Sequence, residues 1–304
     1  MMNFKPITLP DKKDIDACFS GNIYRACSFS FANLFAWNAK FNTMFAIESQ
    51  TVFIRFQDFD GQIYYMMPVG KMPLKDAFDR ITEDAADNNI PFRMKGITSL
   101  MRDNIQKVLP GRFCYLPDRN NDEYIYLSEK LIKLSGKKLQ SKRNHINRFK
   151  ADNPDWKYFP LTSGKELAEC VKMLDEWEEK SISGISMTRR YDYIATRLML
   201  EHFNSLRLCG GAIRANGKIV AFTIGEPLTK DSFVVHVEKA FGDVNGAYTI
   251  INQQFLEHEA SGFMYVNREE DMGLDNLRRA KMSYYPDIIL EEAILIPAAN
   301  KNEK

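Results

Sequence analysis

The chain has 304 residues, 45% of them apolar and 12% aromatic, which is enough for about two packed domains. Its 41 basic and 40 acidic residues nearly cancel, which excludes a global attraction to duplex DNA or an anionic membrane and leaves only local patches. Five scattered cysteines, Cys18, Cys27, Cys114, Cys170 and Cys209, are odd in number and off metal-ligand spacing; they predict buried free thiols and no metal site.

The first residues, Met1-Met2-Asn3-Phe4-Lys5, carry no apolar signal region, and no run is long enough to span a bilayer. The expectation is a cytoplasmic protein without a transmembrane segment. Phe4–Thr8 reads as a strand, followed by a short helix through Ile15 and Cys18 and another over Phe31–Asn38. Three strands follow, Thr43–Glu48, Thr51–Gln57 and Gln62–Met67, with Asp60-Gly61 turning into the last. Pro73 opens a helix to Asn89 in which Leu74, Ala77, Phe78, Ile81 and Ala85 share a face. Pro91–Lys95 is a strand and Ser99–Leu109 a helix. Phe113–Leu116 and Tyr124–Leu127 are strands, with Asn120-Asn121 between them as in a hairpin.

Between the halves lies a separate basic segment, Lys137–Lys150, in which Leu139, Ile146 and Phe149 form one helical stripe. Trp156–Leu161 is a strand. Ser163 caps the next helix, with Glu166 completing a capping box, and a further helix covers Arg190–Asn204. Leu206–Ala215 and Lys218–Gly225 are joined by Asn216-Gly217, a strong hairpin signal. Ser232–Glu238 is a strand, Ala247–Ala260 a helix, Phe263–Val266 a strand and Ile288–Ile296 the last strand. Both halves share one element order. The division expected is residues 1–135, a basic linker helix over 136–155, and residues 156–304.

Asn267-Arg268-Glu269-Glu270-Asp271-Met272-Gly273 reads as a polar turn with three adjacent carboxylates, followed by a helix over Leu274–Ser283 that carries Arg278, Arg279 and Lys281. A strand, an acidic turn and a basic helix bring opposite charges to a strand's C-terminal end, where ligands sit in α/β folds. The plainer reading is a solvated loop in which Asp271 and Asp275 cap the helix. His236 and Glu238 lie two apart on one strand and so on one side of it, followed by Lys239. Nothing has the pattern of a Ser-His-Asp triad, a zinc site or a Walker loop.

The doubled element order resembles two copies of the GNAT (acyl-CoA N-acyltransferase) fold, an α+β class with mixed, mostly antiparallel sheets flanked by helices. Four stretches resemble the phosphatidylglycerol lysyltransferase C-terminal-domain family: residues 137–149, His236-Val237-Glu238-Lys239-Ala240, residues 267–273, and Leu277-Arg278-Arg279-Ala280-Lys281. The resemblance covers residues 10–297. It implies an acyltransferase that moves an aminoacyl or acyl group from aminoacyl-tRNA or acyl-CoA to an amine or hydroxyl, with no covalently bound cofactor. In GNAT folds the donor pyrophosphate rests on the amides of a strand-to-helix loop. The matching loop here is Lys239–Gly246, where Asp243 opposes an anion. Its first-half counterpart, Pro68–Pro73, loses two donors to proline and makes that half a degenerate copy.

The resemblance places the chemistry on Glu238, Glu269 and Asp271, with Glu269 or Asp271 holding a substrate ammonium. Arg143, Lys239 and Arg278 would meet the donor's phosphates or carboxylate. Lys138, Asn144, His145, Gly246, Asn267 and Lys281 complete the binding set. The alternative is a non-catalytic nucleotide- or amino-acid-binding module on the doubled fold, its charges forming an ion-pair network and its basic segment a solvated linker helix.

Overall fold

The computed structural model describes residues 2–180 and 187–298. The chain forms two compact units: Met1–Glu123 with Glu270–Arg278 and Ile289–Lys304, and Tyr124–Glu269 with Arg279–Ile288. The sequence pattern predicts two consecutive domains instead, and residues 299–304 of its second domain lie outside the described residues.

The difference comes from the last strand. Glu292–Pro297 lies between Met94–Thr98 and Phe113–Pro117, antiparallel to both, so it completes the sheet of the first unit. Strand propensity is the same whichever sheet a strand joins; unsatisfied edge amides and carbonyls decide. The same strand displaces the expected Asn120-Asn121 hairpin. Phe113–Pro117 pairs with Glu292–Pro297, Glu123–Leu127 belongs to the other sheet, and Arg119–Asn121 is a single 3-10 turn.

The rest of the first sheet runs Lys5–Pro6, Met44–Glu48, Thr51–Gln57, Ile63–Tyr65 and Met94–Thr98. The helix Leu74–Asp87 buries Ala77, Phe78, Ile81 and Ala85, and Phe78 meets Phe113 at a ring separation of 5.4 Å. In the loop before that helix, the Lys71 amide donates to the Gln50 carbonyl at 3.2 Å and the Met72 amide to Thr51 Oγ1 at 2.8 Å. With Pro73 next, three successive positions offer no amide to a phosphate.

The second sheet has the order Ile288–Leu290, Glu123–Leu127, Tyr265–Glu270, Ser232–Ala240, Lys218–Pro227, Cys209–Ala215 and Lys157–Pro160. Asn216 and Gly217 form the predicted tight turn with φ of 52° and 76°, both left-handed as a type I′ turn demands. Ser163 and Glu166 form the predicted capping box. The helix Ala247–Glu259 is apolar on most sides because it is covered on most sides. It packs against the helices Ser128–Lys133 and Gln140–Asp152 and against four strands of the sheet. Phe255 and Ile250 are fully buried, each worth about 1.5–3 kcal/mol of transfer free energy. The stripe Leu139, Ile146 and Phe149 is buried, so the basic segment is a packed helix, Gln140–Asp152, with charges on its outer side.

Among the described residues no cysteine is in a disulfide; Cys18, Cys27 and Cys170 are buried, whereas Cys114, on the sheet's edge strand, is exposed. Among the described residues no helix is long and apolar enough to cross a membrane, and no group of three His, Cys, Asp or Glu could hold a metal ion.

Candidate active site

The site forms where two parallel strands of the second unit stop sharing main-chain bonds. Ser232–Ala240 and Tyr265–Glu270 pair only as far as Val234 opposite Asn267. Both strands continue, and side chains bridge them instead. Arg268 Nη2 donates to Glu238 Oε1 at 2.9 Å, and His236 Nδ1 lies 2.7 Å from Glu269 Oε1. The strand expected to end at Val266 therefore runs on to Glu270, and residues 267–270 are not a free turn. Asn267 tightens this end: its buried Oδ1 accepts from the Glu269 amide at 2.7 Å, and Glu269 has a left-handed φ of 57°.

A bulge changes the other strand as well. Ile224 pairs with Val237 but Gly225 pairs with Val235, so His236 is the extra residue and simple alternation does not carry from His236 to Glu238. Gly225 makes the bulge feasible, since a Cβ there would stand 2.3 Å from the Val234 carbonyl oxygen. His236 is held between two carboxylates, with Nε2 3.1 Å from Glu226 Oε1. Burial opposes a charged ring, but Glu226 and Glu269 outweigh it and raise the imidazole to about 10.

Glu238 is the hub of a second group. Its Oε2 accepts from Asn252 Nδ2 at 2.9 Å, out of the helix Ala247–Glu259. The Arg268 guanidinium lies 4.8 Å from the centre of the Tyr284 ring and 5.8 Å from that of Tyr126. Lys142 reaches in from the helix Gln140–Asp152. Its Nζ sits 4.0 Å over the Tyr284 ring and donates to Ser283 Oγ at 2.6 Å. Burial and the nearby Arg268 charge lower the Lys142 ammonium to about 8, against a smaller opposing pull from Glu238. Among the described residues, two buried atoms of this group have no hydrogen-bond partner: Arg268 Nη1, a donor, and Asn252 Oδ1, an acceptor. Buried polar groups are normally paired, so an open donor and an open acceptor on the two partners of one carboxylate mark a place for a ligand or water.

The other expected residues are spread more widely. Lys281 is buried and donates to the Arg268 carbonyl at 2.6 Å, fixing the strand that carries the guanidinium. Arg143 donates to the Gly136 carbonyl at 2.8 Å and to the Leu134 carbonyl, beyond the end of the helix Ser128–Lys133. Cations are favourable there. Lys239 is buried, pairs with Asp192 and lies 4.4 Å from the Trp177 ring centre. Lys138 and Asn144 are exposed, with Lys138 5.3 Å from the Tyr285 ring centre. Gly246 begins the helix Ala247–Glu259 at φ 80°; a Cβ there would be 2.3 Å from the His145 carbonyl oxygen, and His145 Nδ1 faces Asn245 Oδ1 at 3.3 Å. The helix Gln140–Asp152 thus lies directly on the loop that would cradle a pyrophosphate.

Asp271 and Arg278 belong to the first unit. Asp271 is fully buried. It takes two bonds from Arg278, at 2.7 and 2.9 Å, one from Arg119 at 3.5 Å and one from the Gly273 amide at 2.9 Å. That closure organises the entry to the helix Asp275–Met282. The same unit holds a buried carboxyl, Glu292, raised well above the ordinary carboxylate range by burial and by Glu123, Glu270 and Asp118.

The sequence pattern missed Lys142, Asn252 and Tyr284 as site residues and counted Arg268 only as part of a motif. Lys142 lies inside the basic segment, but only burial separates it from Lys138 and Lys150.

The two mixed, mostly antiparallel sheets flanked by helices are a doubled GNAT-like fold. The chain matches the family described as phosphatidylglycerol lysyltransferase, C-terminal, over residues 23–293, and it belongs to that family. It is similar to a conserved protein of unknown function from Bacteroides thetaiotaomicron, with 40% identity, 98% of this chain and 100% of that one covered, and a TM-score of 0.92. It is similar in fold to L-PGS from Bacillus licheniformis, with 15% identity, 97% and 93% covered, and a TM-score of 0.65. An uncharacterised protein of Mycoplasmoides gallisepticum is 22% identical over 178 residues, which span 58% of this chain and 56% of that protein, about half its length. Family and fold together point to an acyltransferase-like function.

Proposed function

We propose that the chain transfers an aminoacyl or acyl group from aminoacyl-tRNA or acyl-CoA to an amine or hydroxyl acceptor, at the Glu238–Arg268 site of the second unit. The observation that carries this reading is the open donor on Arg268 and the open acceptor on Asn252, either side of Glu238. Acyl transfer needs a donor aimed at a carbonyl oxygen that gains charge and an acceptor that orients an N–H. Glu238 aligns both groups.

The loop geometry favours an aminoacyl donor over a CoA thioester bound in the GNAT manner. The His145 carbonyl oxygen lies against Gly246, where a pyrophosphate would need free amides, and Asp243 adds like charge. The same observation gives the non-catalytic module its best support, since a site without a phosphate cradle still offers a small amino-acid-like ligand its charged partners.

The test offers radiolabelled aminoacyl-tRNA and radiolabelled acetyl-CoA separately, with a mixture of amine and hydroxyl acceptors. Label moving from the tRNA to an acceptor, and at least about 100-fold slower movement by Glu238→Gln, is the expected result. Ligand binding without transfer from either donor supports the module.

A further inference from the structure

Lys142 is the one amine of the site whose surroundings suit proton transfer. Lys281 is committed to the Arg268 carbonyl and Lys239 to Asp192. Among the described residues Lys142 has one hydrogen bond, to Ser283 Oγ, which itself donates onward to the Ala280 carbonyl at 2.6 Å. Its nitrogen lies over the Tyr284 ring, close enough to Arg268 and Glu238 for both charges to act on it. We propose that Lys142 is the proton acceptor of the reaction and that Arg268 Nη1 receives the carbonyl oxygen as it becomes negative. This rests on the acyl-transfer reading above.

The acceptor's nitrogen or oxygen forms a bond to the acyl carbon, and its proton passes to the lone pair of neutral Lys142. The carbonyl π pair moves to oxygen, held by the Arg268 Nη1–H that has no other partner among the described residues. Collapse restores the carbonyl and breaks the bond to the donor's oxygen or sulfur, which takes the proton back from the Lys142 ammonium. No other reactant is needed.

The charged and titratable groups around the amine are Arg268 and Glu238 from the two strands and Tyr284 from the segment after the helix Asp275–Met282. Burial and Arg268 both disfavour the ammonium, so the neutral form is available near physiological pH. An ordinary surface lysine remains charged there.

Two measurements test the proposal. The first reads Lys142 directly: trace acetylation with acetic anhydride across a pH series, followed by peptide mass spectrometry. Lys142 is expected to reach half its limiting reactivity near pH 8, about two units below an ordinary lysine. A Lys142 midpoint in the ordinary lysine range overturns the proposal. The second reads transfer from aminoacyl-tRNA. Lys142→Arg keeps the stem and a permanent charge, and it is expected to lower the rate about 100-fold or more with the circular dichroism spectrum unchanged. Lys142→Ala is expected to regain part of the rate with added ethylamine, a rescue that a purely structural lysine would not show. Wild-type transfer that survives Lys142→Arg overturns the proposal alone. Absence of transfer by the wild type overturns the acyl-transfer reading and this proposal with it.

Discussion

Asn252 Nδ2 donates to Glu238 Oε2 at 2.9 Å while Asn252 Oδ1, equally buried, has no partner among the described residues. The amide is therefore oriented by the carboxylate and leaves an acceptor for something else. Asn252→Asp would set a second carboxylate against Glu238. The variant is expected to melt lower than the wild type at pH 8 and closer to it at pH 5, where one of the two acids can hold a proton. Thermal melts at both values check this; equal losses at both would show that the two side chains do not face each other as described.

His236 supplies a pH dependence of known sign. Its imidazole is held at about 10 in the fold and is near 6.5 when unfolded, so the folded state binds the extra proton between those values. The contribution is complete below pH 6.5 and is lost as pH rises through 10. The stability difference between wild type and His236→Gln should shrink from pH 6 to pH 10 in urea titrations. A difference that stays constant would mean the ring is neutral throughout.

Asp271 is expected to act on stability. It is fully buried and receives bonds from Arg278, Arg119 and the Gly273 amide. Asp271→Asn should cost about 3 kcal/mol, since removing one partner leaves the other's charge uncompensated. Donor binding by the folded fraction should persist. Lost binding with an unchanged melting temperature would return Asp271 to the functional set.

Gly246 is held by geometry on two counts, a φ of 80° and a Cβ position 2.3 Å from the His145 carbonyl oxygen. Gly246→Ala is expected to lower stability by at least about 2 kcal/mol, with the backbone strain and the close approach both contributing. Chemical denaturation checks it. A near-neutral result would mean that the helix Gln140–Asp152 is free to move off the loop.

The sequence by itself determined the local elements, because their causes are local. Ser163 and Glu166 cap a helix wherever that helix packs, and Asn216-Gly217 turns a hairpin because both residues accept left-handed φ. The stripe Leu139, Ile146 and Phe149 likewise marked a helix in the basic segment, and that stripe is buried. Tertiary structure alone decided where Glu292–Pro297 pairs, since an open sheet edge is a property of the assembled sheet and not of the strand that fills it. It also sorted the charges. Asp271 is enclosed by Arg278, and Arg143 is spent on backbone carbonyls, while Lys142, one residue from Arg143, lies over Tyr284 beside Arg268 and Glu238. Charge and spacing are written in the chain, but desolvation and partner geometry, which separate a reactive lysine from a solvated one, arise only when distant segments close around it.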